Sequence, residues 1–303
     1  MSIRFDGRVA IITGAGNGLG RQHALALAAR GAKVVINDLG GARDGSGGSL
    51  SAAQQVVKEI VNAGGTAMAN GASVTDAAAV EAMVAATLST VGRVDILINN
   101  AGILRDKSFA KMTLDEFRAV VDVHLMGAAI CTKAVWETMR SQNYGRILMT
   151  TSSSGLFGNF GQSNYGAAKT AVVGLMQVLS LEGAKNNIHV NCLAPTATTR
   201  MTDDILPGQI QDHFKPEYVT PAAVYLVSEQ APTRCIMNAG AGTFAATHIA
   251  MTSGIHLGHD ADTPEKLAAA FAQVTHRAGD TIPKSAGDQG ANELAKRGVK
   301  PSA

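Results

Sequence analysis

Thr13-Gly-Ala-Gly-Asn-Gly-Leu-Gly20 is the stretch whose reading decides the fold. The apolar run Val9-Ala10-Ile11-Ile12 before it has the character of a buried parallel strand, and Arg21 to Arg30 after it continues with helical spacing. Between them, glycine serves wherever the backbone bends sharply or must approach a ligand closely. A helix starting at such a turn points free N–H groups and a partial positive charge at whatever lies above it, which suits the pyrophosphate of a dinucleotide. Gly14, Asn17, Gly18, Leu19 and Gly20 are therefore expected to contact such a cofactor.

Strand-like runs alternate with helix-like ones beyond this turn. Strands are expected at 8–12, 33–37, 66–70, 95–98, 145–150 and 189–193, and helices at 21–30, 49–63, 76–91, 114–140, 165–186 and 221–228. The strands are mostly continuous and β-branched instead of alternating, as in a parallel sheet covered on both faces. The expected fold class is α/β, a doubly wound parallel sheet (Rossmann), as a single domain with a C-terminal extension. The catalytic domain is expected over 1–242 and the extension over 243–303, packed on the core or on a partner subunit. In that extension Thr263-Pro264-Glu265 reads as a helix start, threonine at the N-cap and proline at N1, leading into 266–276. A short charged helix is expected over 291–297. Gly40 to Gly48 reads as a flexible surface loop near the adenine-ribose end of the cofactor.

The chemistry is carried by a second cluster, Tyr165-Gly-Ala-Ala-Lys169, with Ser152 thirteen residues before the tyrosine. Tyr165 and Lys169 are one helical turn apart and share a face. An ammonium beside a phenol favours the phenolate, and an oxidised nicotinamide adds a second positive charge. Bringing a phenol from ~10 to near 7–8 takes about 3–4 kcal/mol of preferential stabilisation. Tyr165 would then remove a substrate hydroxyl proton while hydride passes to the nicotinamide, and Ser152 would hydrogen-bond the reacting oxygen. An isolated Tyr-x-x-x-Lys is a packed tyrosine with a snorkelling lysine; Ser152 and the glycine turn together point to a nicotinamide-dependent oxidoreductase.

Asp38 closes the second strand, eighteen residues beyond Gly20, where a carboxylate accepts hydrogen bonds from both adenosine ribose hydroxyls and repels a 2′-phosphate. A loop or N-cap aspartate is the alternative, and position within the fingerprint favours NAD as cofactor. Ser73 and Val74 fall where an adenine-contacting pair would lie. Asn99-Asn-Ala-Gly102 offers Asn100, Ala101 and Gly102 beside the cofactor. Tyr165, Lys169 and Pro195 complete the expected contacts.

Composition excludes several other classes. The 303 residues are 46% apolar and 17% charged with a net charge of +2, which gives no electrostatic case for nucleic acid or anionic membrane. Cys131, Cys192 and Cys235 lie in apolar segments without metal-like spacing, as free thiols of a reducing compartment. No metal is expected. The start, Met1 to Gly7, runs directly into the first strand, and Pro301-Ser-Ala is not a peroxisomal address, so the expected location is cytoplasmic. The long helices 114–140 and 165–186 carry apolar residues on more than one face, which implies a partner surface.

The Thr-Gly-x-x-x-Gly-x-Gly turn, Asn-Asn-Ala-Gly and the Ser/Tyr/Lys set resemble the short-chain dehydrogenase/reductase superfamily. More narrowly the chain resembles the (3R)-hydroxyacyl-CoA dehydrogenase unit of peroxisomal multifunctional enzyme type 2. The residues that carry this are Asn37-Asp-Leu-Gly-Gly41, Asn99-Asn-Ala-Gly-Ile-Leu-Arg-Asp106, Tyr144-Gly-Arg-Ile-Leu-Met-Thr150, Gly158-Asn-Phe-Gly-Gln162 and Lys215-Pro-Glu-Tyr218. The resemblance implies oxidation of a (3R)-3-hydroxyacyl-CoA to the 3-ketoacyl-CoA by a homodimer or homotetramer, with a steroid or other bulky secondary alcohol as the alternative substrate. A non-catalytic NAD(H)-sensing protein is a third reading, although such proteins usually lose the tyrosine or the lysine. For coenzyme A the sequence offers only scattered basic residues, Lys284, Lys296, Arg297 and Lys300, which equally suit a solvated surface. His124 stands where most members of the superfamily carry an asparagine that holds a water relay to the lysine; a buried core histidine is the alternative. Pro195-Thr196 replaces the usual Pro-Gly and Arg200 a usual threonine, leaving Thr198 or Thr199 to reach the carboxamide.

Overall fold

In the computed structural model, which describes residues 2–199 and 211–299, eight strands form one sheet. They are β1 Val9–Thr13, β2 Lys33–Asn37, β3 Thr66–Asn70, β4 Ile96–Asn99, β5 Gly145–Thr150, β6 Ile188–Pro195, β7 Ile236–Gly240 and β8 Thr243–Thr247, in the order β3-β2-β1-β4-β5-β6-β7-β8. The pairings from β3 through β7 are parallel, with Ala10 opposite Val34 on one side and Ile96 on the other. The order reverses between β1 and β4, and the strand carboxyl ends on either side of that point open a crevice.

Among the described residues the helices are α1 Gly18–Ala28, α2 Ser51–Asn62, α3 Ala77–Val91, α4 Leu114–Val121, α5 Gly127–Gln142, α6 Ser153–Phe157, α7 Ser163–Gly183, α8 Thr220–Leu226, α9 Thr263–Val274 and α10 Gly287–Lys296. Alternate residues of each central strand serve opposite faces of the sheet. Ala10, Ile12, Ile96, Ile98 and Leu148 join the layer with Leu27 of α1 and Leu226 of α8. Ile11, Leu97, Ile147 and Met149 join the other, with Met83 of α3, Val135 of α5 and Met176 of α7. Every residue of β1 is buried, which is why its sequence shows no polar alternation.

Local chemistry fixes the helix ends. Asp76 accepts the N–H of Ala79 to start α3, and Gly92 ends it at φ 78°. Thr113 and Glu116 form a reciprocal capping box at α4. The expected helix 114–140 is not uniform: Asp122–Met126 winds as a π-helical turn between α4 and α5. By length and composition the continuous helix Leu114–Gln142 could span a bilayer, but Val120, Cys131, Val135 and Met139 are buried in the core.

At the opposite end of the sheet from the crevice, Arg146 of β5 is 1% exposed. Its guanidinium donates to the carbonyls of Gly145 and Asn187 at 2.8 Å and of Ser228 at 3.0 Å, and stacks over the Tyr144 ring. Burial lowers its pKa from the ordinary arginine value.

The chain divides into two compact units, 1–246 and 247–303. The first reaches past residue 242 because β8 joins the sheet. Within the second, Met251 and Thr281 exchange two backbone hydrogen bonds of 2.9 Å, and Thr252 Oγ1 donates to the Val274 carbonyl. Thr263 is not the cap of α9: it is the first helical residue, Asp262 precedes it without a side-chain cap, and the carboxylate of Asp262 pairs with Lys266. The second tail helix spans 287–296, starting four residues before the expected 291.

Candidate active site

The crevice is a cleft of about 860 Å³ within the first unit, and its floor is the glycine turn. Thr13 organises that turn. Its Oγ1 accepts the N–H groups of Asn100 and Ala101 at 3.0 Å, while Asn100 Nδ2 donates to the carbonyls of Thr13 and Gly14. The two motifs, 87 residues apart, are thereby laced into one surface. Asp38 ends up beside both: Oδ2 accepts the N–H of Gly16 and Oδ1 that of Gly40, each at 2.7 Å.

Of the residues expected to contact cofactor, Gly14, Asn17, Gly18, Leu19, Asp38, Ser73, Val74, Asn100, Ala101 and Gly102 line this cleft, while Tyr165 and Lys169 do not and Lys169 lines the small cavity next to His124. Gly20 does not: it packs inward, where a Cβ would collide with the Gly14 carbonyl and lie 2.6 Å from Asn100 Nδ2. Nor does Pro195, which ends β6 paired with Ala239. Thr199 is in the wall, 3.4 Å from where a Cβ of Gly18 would lie, whereas Arg200 lies outside the described residues, as does Lys300. Arg43, Gly45 and Arg105 also line the cleft. The loop 40–48 is tied down there, with Leu104 N–H donating to the Arg43 carbonyl and Arg105 Nε to that of Asp44. Glycine content suggested mobility; these long-range bonds have no local sequence signal.

The residues present fit a dinucleotide. A Cβ on Gly14 would lie 2.8 Å from Ala101 Cα, and Gly14 and Gly18 hold φ of 62° and 53°, so side chains are excluded where a ligand would cross. Asn17 makes no side-chain cap and the first turn of α1 holds no acidic residue, which keeps its N–H groups available to anionic oxygen. A volume of 860 Å³ lies within the range of cofactor sites.

Ser152, Tyr165 and Lys169 come together at the ends of β5 and α7. Ser152 caps α6, its Oγ accepting the N–H of Ser154 at 3.2 Å, and its hydroxyl pulls the pKa of the Tyr165 phenol downward. Asn164 Oδ1 accepts the Tyr165 N–H and Asn164 Nδ2 reaches the Arg105 carbonyl, which anchors the start of α7. Lys169 Nζ lies 5.5 Å from the Tyr165 ring centroid and donates to the Thr150 carbonyl at 2.6 Å. Gly155 makes room for it, since a Cβ there would meet Lys169 Cβ at 2.8 Å.

Burial dominates the electrostatics of the protein's own groups here. Burial drives Tyr165 up to about 12, with the Ser152 hydrogen bond pulling the other way and Asp106 adding to the rise. Burial also brings Lys169 down to about 7. The lysine therefore does not lower the phenol in the protein alone. Desolvation is the largest cause of both shifts because both charged forms lose water.

His124 lies in the middle of the π turn and is 4% exposed. Its ring meets Tyr165 edge to face, with centroids 5.1 Å apart at 89°. Nε2 is within hydrogen-bonding distance of both the N–H and the carbonyl of Ile103, at 3.1 and 2.8 Å. Burial, with Lys169 adding, holds its pKa well below the usual histidine value. Asn99 Oδ1, His124 Nδ1 and Thr150 Oγ1 lack protein partners. They belong to the residues lining, with Lys169, a cavity of about 10 Å³, the size that takes a single water.

Comparison with known proteins agrees with this geometry. The short chain dehydrogenase family model matches residues 8–209. The chain is 44% identical over 303 residues to peroxisomal multifunctional enzyme A of Dictyostelium discoideum, covering all of this chain and 68% of that one. Among solved structures, full-length peroxisomal multifunctional enzyme type 2 from Drosophila melanogaster aligns with a TM-score of 0.81 at 37% identity, over 98% of this chain. This chain spans about half, 51%, of that enzyme. A 7α-hydroxysteroid dehydrogenase complexed with NADH and 7-oxo glycochenodeoxycholic acid aligns with a TM-score of 0.71 at 29% identity, covering 79% of this chain and 95% of that one. With the doubly wound sheet, the glycine turn and the serine, tyrosine and lysine in one place, the chain belongs to the short-chain dehydrogenase/reductase family of oxidoreductases.

Proposed function

We propose that the protein oxidises a secondary alcohol with NAD, the substrate being a (3R)-3-hydroxyacyl-CoA and the product the 3-ketoacyl-CoA. The observation that carries the chemistry is Lys169 Nζ placed 5.5 Å from the Tyr165 ring centroid, with Ser152 acting on the same phenol. Gly14, Asn17, Gly18 and Leu19 would hold the pyrophosphate side of the dinucleotide, Asp38 the adenosine ribose, and Ser73 and Val74 the adenine. Tyr165 and Lys169 would face the nicotinamide ribose. When bound, the oxidised nicotinamide accepts hydride and brings positive charge next to the phenol. Tyr165 Oη takes the substrate hydroxyl proton, and Ser152 Oγ donates a hydrogen bond to the same oxygen. Lys169, protonated, favours the phenolate that this transfer requires. With Ser152 and Tyr165 fixing the oxygen, only one face of the carbinol carbon would be offered to a bound nicotinamide.

The preference for NAD over NADP is supported by the Asp38 carboxylate, which two backbone N–H groups fix and which would repel a 2′-phosphate brought beside it. The acyl-CoA substrate and its R hand rest on similarity to the multifunctional enzymes. The bile-acid ligand of the 29% identical structure supports hydroxysteroids as the second reading. Val178 and Leu181 of α7 are more than half exposed, which supports a homo-oligomer built on that helix. The test is NADH production by the purified protein with separate R and S 3-hydroxyacyl-CoA thioesters, with hydroxysteroids, and with NADP in place of NAD. Turnover of the R thioester with NAD is expected. Preference for the S isomer or for a free steroid would overturn the substrate.

A further inference from the structure

Three of the eight phenylalanines stand in solvent on the two segments that frame the catalytic residues, and the chemistry above uses none of them. Phe160 is 90% exposed, Phe109 74% and Phe157 69%. Ser152 caps α6 and Phe157 is its last residue, about 7.5 Å further along at 1.5 Å per residue. Phe160 follows in a turn between Gly158 and Gly161, whose φ values are 83° and 82°, and the chain then enters α7 and Tyr165. Phe109 lies on the neighbouring segment.

These segments are held to each other. Lys107 N–H donates to the Gly161 carbonyl at 2.9 Å, Gln162 Nε2 to Asp106 at 2.7 Å, and Asn159 Nδ2 to Gln162 Oε1 at 3.0 Å. The backbone is thus pinned by polar contacts while the rings it carries stay in water. Side chains this apolar, held out from a fixed frame, form a surface for an apolar ligand.

We propose that Phe157, Phe160 and Phe109 form the subsite for the hydrocarbon tail of the substrate and set its preferred length. This rests on the acyl thioester reading and deepens it. The occupant follows from continuity: the segment with Phe157 and Phe160 runs from Ser152 to Tyr165, and the segment with Phe109 is hydrogen-bonded to it at Gly161 and Gln162, so a ligand on the rings is led to the oxygen that Ser152 and Tyr165 hold. The coenzyme A portion, polar and polyanionic, gains little from three phenyl faces. The acyl tail gains from all three.

The experiment compares kcat/KM for (3R)-3-hydroxybutyryl-CoA and (3R)-3-hydroxyhexadecanoyl-CoA in the full chain and in Phe157→Ala, Phe160→Ala and their double variant. The double variant is expected to lose about tenfold with the long substrate, the lower end of what apolar contacts contribute to discrimination. Its value with the butyryl substrate should remain within about twofold. Because the rings are exposed, the thermal midpoint and sedimentation coefficient should not move. Equal losses with both substrates, or no loss with either, would overturn the subsite. So would a changed sedimentation coefficient at an unchanged ratio, which would give the rings to a second copy of the chain. A wild type that oxidises neither thioester but does oxidise a steroid removes the substrate reading and the subsite together.

Discussion

Gly102→Ala tests how tightly His124 is bound to the catalytic geometry. The φ of Gly102 is outside the left-handed region, so alanine fits the backbone and gains about 0.4–1 kcal/mol through the unfolded chain. The added methyl, however, would overlap His124 Cε1 and lie 3.1 and 3.2 Å from the two ring nitrogens. The ring has little room to yield: Nε2 is held at the Ile103 backbone, Tyr165 packs against it edge-on, and the adjoining cavity is about 10 Å³. Overpacking of this kind costs ~1–3 kcal/mol, and the confinement places this site near the upper end. After the backbone gain, a net loss of about 2–2.6 kcal/mol is expected, a fall of roughly 3–4 °C in thermal midpoint for 303 residues. Turnover should fall further, on the order of 10²-fold, because displacement of His124 by an ångström moves Tyr165 with it. Calorimetry and steady-state kinetics are to be run on Gly102→Ala, His124→Ala and the double variant. With the ring gone, the methyl should cost at least 1 kcal/mol less, the coupling expected of groups in contact. An equal cost in both backgrounds would refute the steric argument.

Asp38→Asn should narrow the preference for NAD over NADP by roughly 1–3 kcal/mol in kcat/KM, the scale of a removed charge contact; a wild type equally efficient with both cofactors would already contradict the role. Tyr165→Phe should nearly abolish turnover while NADH fluorescence still reports binding, and Ser152→Ala should lose on the order of 10²–10³ in kcat. Lys169 has a folded pKa drawn down to about 7 from 10.5, so the unfolded chain binds more protons between those values and stability rises with pH across that window. The burial penalty is fully present below about pH 7 and fades toward pH 10.5. Chemical denaturation from pH 7 to 10 should show wild type gaining on Lys169→Met, and parallel curves would mean that Lys169 is not charged against its environment.

Much of this architecture was legible because parallel strands buried on both faces have nowhere to put polar residues. Lys33–Asn37, Thr66–Asn70 and Gly145–Thr150 form as read. β7 and β8 were missed: Met237-Asn-Ala-Gly and Thr243-Phe-Ala-Ala-Thr247 are short and poor in β-branched residues, and tertiary pairing makes them strands. The π turn was invisible because its side-chain spacing differs from that of an α-helix by one residue. In the site, the motif residues gather as their spacing suggested, but Gly20 serves packing and Pro195 pairing. A fingerprint position does not separate contact with a ligand from support of the loop that makes it. The burial that raises Tyr165 among the protein's own groups was not legible for a physical reason: charge proximity can be read from i, i+4 spacing, whereas desolvation is a property of everything packed around the pair. Nothing local marks Arg146 as buried either, since arginine in a strand ordinarily reads as an exposed edge.

That buried arginine also bears on how the chain assembles while it is being made. Its guanidinium needs carbonyls 41 and 82 residues further on, at Asn187 and Ser228. Until those emerge from the ribosome, closing the base of β5 would strip water from a cation with only the adjoining Gly145 carbonyl to accept from it, a cost of several kcal/mol. A nascent chain halted before Ser228 should therefore keep its β5 edge hydrated and open to protease, and one halted well after it should resist. The later part of the chain then acts as a licence for the first five strands to condense, and delays commitment until β6 and the turn after α8 have both been synthesised.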